Sequence, residues 1–355
     1  MTTKKRWGCG IALVVTLLIL VAVPVMLIGT LGRMVMGELQ IDPPPRTLPR
    51  FGETVVDGRW DRSQTGRGKV AVIPVTGVIT NFAPSSLFGG AGESMVERIR
   101  RQLQQAQTDD SIKAIVLHVN SPGGEVTASD HLYHAVVEAA ASKPVVAYFD
   151  SVAASGGYYL ACGATAIVAS ETGITGSIGV IIQSLNYAEL FDKAGLETHT
   201  FASGEFKDTL SGSRPMREDE EDYIRQLVAG MYERFLQLVA GSRGLPVEQV
   251  RREIADGRVF TGTEALELNL VDATGTIDHA YAKARQLAGA EQAVVVRYGA
   301  GGSGLSRLLS AAEAQADQLS SDPSRRLELD LSPGLLPRLR PGVPYYLAPS
   351  MVGWE

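Results

Sequence analysis

Four short apolar runs set the frame for this chain. Residues 70–78, 112–119, 144–149 and 166–169 are rich in Val, Ile and Ala and lack polar alternation. Strands of that kind are buried on both faces. Between the first two runs, Met95, Ile99 and Leu103 fall at helical spacing within 93–107. Further helices are predicted at about 126–141, 217–241, 246–256, 261–268 and 276–287, and one more starts in 154–163. Strand–helix alternation predicts an α/β domain, with a parallel or mixed sheet under covering helices. The chain shows no internal repeat. Its 355 residues are enough to bury a core.

The N-terminus is of another kind. Lys4, Lys5 and Arg6 precede a stretch, 7–32, that holds no charged residue, and Arg33 follows it. Roughly 20 helical residues cross about 30 Å of hydrocarbon. The run therefore reads as one transmembrane helix, which tolerates Pro24. Excess positive charge before it places the N-terminus in the cytoplasm and the rest outside. No A-x-A cleavage site follows, so the reading is an anchor and not a removed signal peptide. The organisation expected is a cytoplasmic stub and anchor at 1–35, a Pro-containing linker at 36–68, a folded domain at 69–298, and a tail at 299–355. The tail combines a flexible link, a short amphipathic helix at 305–319 and a Pro-rich end.

Net charge is −6, and basic clusters are short, which argues against a nucleic-acid partner. The two cysteines, Cys9 and Cys162, would lie on opposite sides of the membrane. No Cys/His spacing suits zinc.

Two segments use residues that structure alone does not demand. Asn120-Ser121-Pro122-Gly123-Gly124 closes a buried strand. Consecutive glycines there turn the backbone sharply and free amide N–H groups that can hold an oxyanion. An ordinary tight turn would look the same. The second segment is Asp150-Ser151-Val152-Ala153-Ala154-Ser155-Gly156-Gly157-Tyr158-Tyr159. Ser155 at a strand–helix junction follows the logic of a nucleophile elbow without its G-x-S-x-G pattern. Small residues at that place also permit close helix–sheet packing.

A nucleophilic serine needs a base. His118, His131, His134, His199 and His279 all sit outside segments that look like catalytic loops. Lys207, in Ser203-Gly204-Glu205-Phe206-Lys207-Asp208, is the other option, in a turn expected to follow a strand. Partial desolvation beside Phe206 would lower its proton affinity. Composition alone favours an exposed loop lysine.

Taken together, 120–124, 154–159, Thr175-Gly176-Ser177-Ile178-Gly179 and 204–208 occur in an order and spacing that resemble the signal peptide peptidase A family. These are membrane-anchored Ser–Lys peptidases of the Clp/crotonase superfamily. Gly257-Arg258-Val259-Phe260-Thr261-Gly262 and the stretch to Asp272 add to the likeness, which covers about 69–290. The resemblance implies a Clp/crotonase-like mixed sheet. It implies Ser155 as nucleophile, Lys207 as general base and Ser177 as the group that orients the amine. The oxyanion hole would combine the Gly156 N–H with that of Gly123 or, preferentially, Gly124. No metal or organic cofactor is implied. Expected partners are remnants of signal peptides, unfolded apolar peptides, the lipid bilayer, and further copies of the chain. A ring, an octamer in the family, would leave each site open to residues from a neighbouring subunit. The expected location is a bacterial plasma membrane, single-pass, with the catalytic domain on the outer side. Competing readings are a crotonase-like acyl-CoA enzyme, a Ser–His–Asp protease of the Clp type, and a non-catalytic membrane scaffold. The segment from Tyr345 to Pro349 is expected to dock in a binding groove of its own chain.

Overall fold

A computed structural model describes residues 50–57, 68–83 and 93–299, with the backbone of 345–347. The expected transmembrane helix, most of the linker and the amphipathic helix at 305–319 lie outside the described residues. Among the described residues, no helix is long and apolar enough to cross a membrane.

The elements run in the order β1 (Gly52–Asp57), β2 (Lys69–Thr76), α1 (Met95–Thr108), β3 (Ile112–Ser121), β4 (Gly123–Glu125) and α2 (Val126–Ser142). Then come β5 (Val145–Ala154), α3 (Gly156–Ala161), β6 (Ala166–Ala169), β7 (Ile174–Gly176), α4 (Ala188–Ala194), α5 (Glu218–Arg243) and α6 (Val247–Glu253). β8 (Val259–Thr261), α7 (Gly262–Glu267), β9 (Ala273–Thr274), α8 (Ile277–Leu287), β10 (Val294–Gly299) and β11 (Tyr345–Leu347) complete the chain.

One sheet has the order β1-β10-β2-β3-β5-β6-β9, with β7 beside β5 and β8 beside β7. Its pairs are parallel except β1–β10 and β7–β8, so the sheet is mixed, as expected. Alternate strand residues face opposite sides. Ile115, Leu117 and Val119 of β3 join Ile73, Phe149, Leu103, Leu132, Tyr158 and Phe235 in the larger core cluster. Val116 joins Val70, Val146, Ala280 and Ala284 in the smaller cluster, against α8. Burial on both faces is why these strands read as unbroken apolar runs.

Side-chain caps set two of the helix starts. Ser94 accepts from the Glu97 N–H while Glu97 accepts from the Ser94 N–H, and Thr261 and Glu264 repeat the arrangement on α7. α5 is divided. Phe235, Leu236, Leu238, Val239 and Ala240 are buried, whereas in its first three turns only Glu220 is.

The sheet begins earlier than the sequence pattern indicates. Gly52–Asp57 falls in the expected linker yet pairs with β10. It is an edge strand with mostly exposed residues, so it carries no apolar signature. The strand expected before Lys207 does not form, and residues 196–203 carry no regular element. Without an alternating apolar face or a sheet edge beside it, this stretch has nothing to pair with.

Candidate functional site

β5 runs out through Ala154 into Ser155, and α3 starts at Gly156. Ser155 takes φ 54° and ψ −114°, a strained conformation for a residue with a Cβ. Such strain forms a sharp turn that projects the side chain from the strand end. The turn is pinned on both sides. The Ser155 N–H donates to Gly176 O at 2.7 Å, and its carbonyl accepts from the Tyr159 N–H at 2.8 Å. Ser155 is fully buried, and among the described residues its Oγ has no hydrogen-bond partner. A buried unpaired hydroxyl is costly and asks for a reason.

Ala154 pairs with Gly176 on β7, in parallel register. Ser155 and Ser177 therefore follow side by side from adjacent strand ends. Ser177 also has positive φ, 50°, and its N–H donates to Arg258 O at 2.8 Å. It opens onto a groove of about 900 Å³ lined by Ile178, Val180, Ile182, Ile224, Val228 and Tyr232.

Glycines bring the backbone close on the other side. A Cβ on Gly156 would lie 2.4 Å from Ser129 Oγ, 3.1 Å from Gly124 N and 3.2 Å from Gly123 Cα. A Cβ on Gly124 would meet Ile79 O at 1.9 Å. Gly123 adopts φ 105°. Its N–H is engaged by Ser121 Oγ at 3.1 Å, whereas the Gly124 N–H lies on the edge of β4 that β11 flanks. β4 bonds Ile79 on one side, with Ile79 N–H to Gly123 O at 2.8 Å and Glu125 N–H to Ile79 O at 2.8 Å. On its other side β11 pairs antiparallel, with Tyr346 opposite Gly124. The tail segment expected to dock in a groove is thus a strand against the Gly-rich turn, and it also contacts α2 and α3.

Ser155, Ser177, Gly124 and Gly156 are together; Lys207 is not joined to them in the single chain. It is exposed, and among the described residues its side chain has no hydrogen bond or ion pair. The desolvated setting expected beside Phe206 is absent, because that ring faces Tyr223 at 5.4 Å and the Arg217 guanidinium at 5.6 Å. Lys207 sits on an arm, residues 178–217, that leaves the sheet after Ser177. Ile181, Leu185, Leu190, Leu196, Phe201 and Met216 on this arm are all exposed.

No histidine bonds Ser155 Oγ among the described residues. His118 bonds Asp150 at 3.0 Å, His134 lies 3.5 Å from Asp130, and His279 accepts from the Thr276 N–H at 3.0 Å. Cys162, the C-cap residue of α3, is buried, and burial pushes its thiol up to about 11, so it is no rival nucleophile. No group of acidic, His or Cys residues suited to a metal occurs among the described residues. Sequence reasoning missed the pairing of Arg214 with Asp208 and Glu220. The acidic run Glu218 to Asp222 after two arginines was its one visible sign.

The pattern of peptidase family S49 matches residues 138–291, and that of Clp protease matches 84–179. A putative protease of Methanocaldococcus jannaschii is 40% identical over 197 residues, 56% of this chain and 63% of that protein. A putative signal peptide peptidase SppA of Enterococcus faecium is 35% identical over 231 residues, 65% of this chain and 67% of that protein. A putative protease of Synechocystis is 36% identical over 230 residues, 65% of this chain and 78% of that protein. The chain thus spans less than two thirds of the first of these relatives and somewhat more of the other two.

Proposed function

The chain belongs to peptidase family S49, and from that premise we propose that it is a serine endopeptidase with Ser155 as nucleophile and Lys207 as general base. The observation that carries this reading is Ser155 itself. It is a buried, unpartnered hydroxyl held at positive φ, beside two glycine amides.

In this reading Ser155 Oγ attacks the scissile carbonyl while the neutral Lys207 amine takes its proton. The tetrahedral oxyanion is held by the N–H groups of Gly156 and Gly124. The C–N bond then breaks, and Lys207 returns the proton to the leaving amine. Water, deprotonated by the same lysine, hydrolyses the acyl-enzyme and frees Ser155. Ser177 orients the amine. The substrate lies extended along the edge of β4 that β11 occupies, by strand addition in its place. No cofactor takes part.

A neighbouring subunit of a ring-like homo-oligomer brings Lys207 to Ser155. The exposed lysine and the apolar arm around it support that arrangement. Substrates are remnants of signal peptides and other unfolded apolar peptides, a chemistry that suits the groove beside Ser177. The uncharged run 7–32 anchors the protein in the bacterial plasma membrane, with the catalytic domain on the outer side.

One observation favours a second reading. Within one chain Lys207 is exposed and does not bond Ser155, as in a non-catalytic scaffold of the same fold. Cleavage of a fluorogenic apolar peptide by the detergent-purified chain separates the two, beside Ser155→Ala and Lys207→Arg. Arginine keeps the charge but does not deprotonate at accessible pH. The peptidase reading expects cleavage by the wild type and loss in both folded variants. A wild type without activity supports the scaffold, and an active Lys207→Arg places the base elsewhere.

A further inference from the structure

The turn that carries Lys207 has little backbone order of its own. Its internal bonds are Lys207 N–H to Gly204 O at 3.1 Å, Thr209 N–H to Phe206 O at 3.4 Å and Ser211 N–H to Asp208 O at 3.0 Å. Side chains hold it instead. Arg214 Nε and Nη2 each donate to one oxygen of Asp208 at 2.8 Å. Nη2 and Nη1 of the same guanidinium donate to Glu220 Oε1 at 2.6 Å and Oε2 at 2.8 Å. Nη1 also donates to Pro215 O at 3.0 Å. All five N–H groups of Arg214 therefore have acceptors, an arrangement Lys could not reproduce.

Glu220 is fully buried, although it stands on the half of α5 that otherwise lies outside the core. It accepts as well from Thr209 Oγ1 at 3.1 Å and from the Arg217 N–H at 2.9 Å. Arg217 in turn donates to Glu205 O at 3.1 Å and covers the Phe206 ring. So 205, 206, 208 and 209 are each tied to the segment 214–223, and only the residue between them projects free. A buried ion pair contributes little net stability, so its presence on an exposed arm argues for a positional role.

We propose that the Arg214–Asp208–Glu220 cluster is the positioning device of Lys207: it fixes the turn and neutralises the carboxylate of the next residue in the chain. The inference rests on Lys207 being the general base. The charged and titratable groups on the turn and on the elements packed against it are Glu205 and Asp208, Arg214 and Arg217 on the following segment, and Asp219, Glu220 and Tyr223 on α5. Asp219 is itself engaged by Arg217 at 3.0 Å. Hydrogen bonding to Arg214 is the main reason that Asp208 and Glu220 both titrate below the usual carboxylate range, so both are anionic when the enzyme works. Freed from Arg214, Asp208 would favour the ammonium form of its neighbour.

The test is the pH profile of peptide cleavage by the full-length protein in detergent, for Arg214→Gln and Asp208→Asn. Arg214→Gln is expected to lower kcat about tenfold to a hundredfold through a displaced amine, with little change in KM. Its acid limb should move to higher pH, by about half a unit, as Asp208 is unmasked. Asp208→Asn keeps the Arg214–Glu220 pair, so the fold of the arm survives. Its acid limb should move the opposite way. Limbs that stay in place, or move in the same direction, overturn the proposal even if both variants are slower. Should Arg214→Gln fail to assemble, Asp208→Asn alone decides by whether its limb falls. Failure of the base assignment itself shows separately, as retained activity in Lys207→Arg.

Discussion

The molecule divides between a sheet-borne half and an arm-borne half, and the two obey different physics. Ser155, Ser177, Gly124 and Gly156 are fixed by strand register and by close backbone approach, and both serines are buried. Lys207 hangs on a segment without sheet partners, held by a charge cluster and covered with exposed apolar residues. The first half is complete in one chain. The second exposes Leu185, Leu190, Leu196 and Phe201, side chains that the proposed neighbouring subunit would bury. Positioning the proposed nucleophile is thus a matter of the fold, and in the proposed reading positioning its base is a matter of assembly.

The strongest way to break that contrast is to separate the halves between chains. Ser155→Ala and Lys207→Ala are each expected to be inactive. Co-assembled at random in equal amounts, they should regain about a quarter of wild-type activity, because one site in four joins an intact serine to a neighbour's intact lysine. Co-expression with two affinity tags and tandem purification gives the mixed species. No recovery would mean that each chain supplies both groups, or that the sheet-borne half has no lysine partner at all.

A second test acts on the sheet-borne half alone. Gly156→Ala forces a methyl to within 2.4 Å of Ser129 Oγ and 3.1 Å of Gly124 N. The two amides are pushed apart, and kcat should fall about 10²- to 10³-fold, the loss typical of a removed oxyanion donor. Ser129→Ala in the same chain removes the nearest obstructing atom and should restore part of the rate. The contacts with Gly123 and Gly124 remain, so recovery stays incomplete. Equal rates in single and double variants would show that the glycine serves packing.

How legible each half was in the sequence follows from the same division. The strands at 112–121 and 145–154 announce themselves because burial on both faces demands unbroken apolar runs. Ser155 stood out because it stands at a strand–helix junction before two glycines, within a motif of the family it resembles. β7 and β8 were invisible, being three residues each and defined only by pairing. The arm was misread for a related reason. Its order comes from Arg214 reaching back six residues to Asp208 and forward six to Glu220. Charge pairing of that kind leaves no periodicity. Lys207 was singled out by family likeness, while its setting is an exposed turn held by the charge pairs of Arg214.

Removing the tail sharpens the contrast more gently. β11 occupies the edge of β4 that an extended substrate would use. Deletion of residues 341–355 should therefore raise cleavage of short peptides a few-fold, chiefly through a lower KM. Unchanged or reduced activity would mean that the strand completes the groove and does not block it.

The smallest effect concerns acid, and it separates the halves by stability. Glu220 titrates at about 2 instead of 4.5, first because of its hydrogen bonds to Arg214 and then because of the Arg217 N–H. A folded-state value below the unfolded one gives stabilisation that is complete above about pH 4.5 and fades as pH falls towards 2. The one carboxylate on β2, β3, β5 and β6 is the part-exposed Asp150, so these strands should hold in that window while the arm loosens. Pepsin works there and favours apolar sites such as Phe201 and Phe206, both exposed on the arm. Between pH 4.5 and 2 the first cuts should fall within 178–217 and speed up as pH drops. Glu220→Gln should cut readily across the whole window, with little further response to pH, because the titrating group is gone. First cuts in the sheet, or a pH response unchanged in Glu220→Gln, would show that the cluster does not govern the order of the arm.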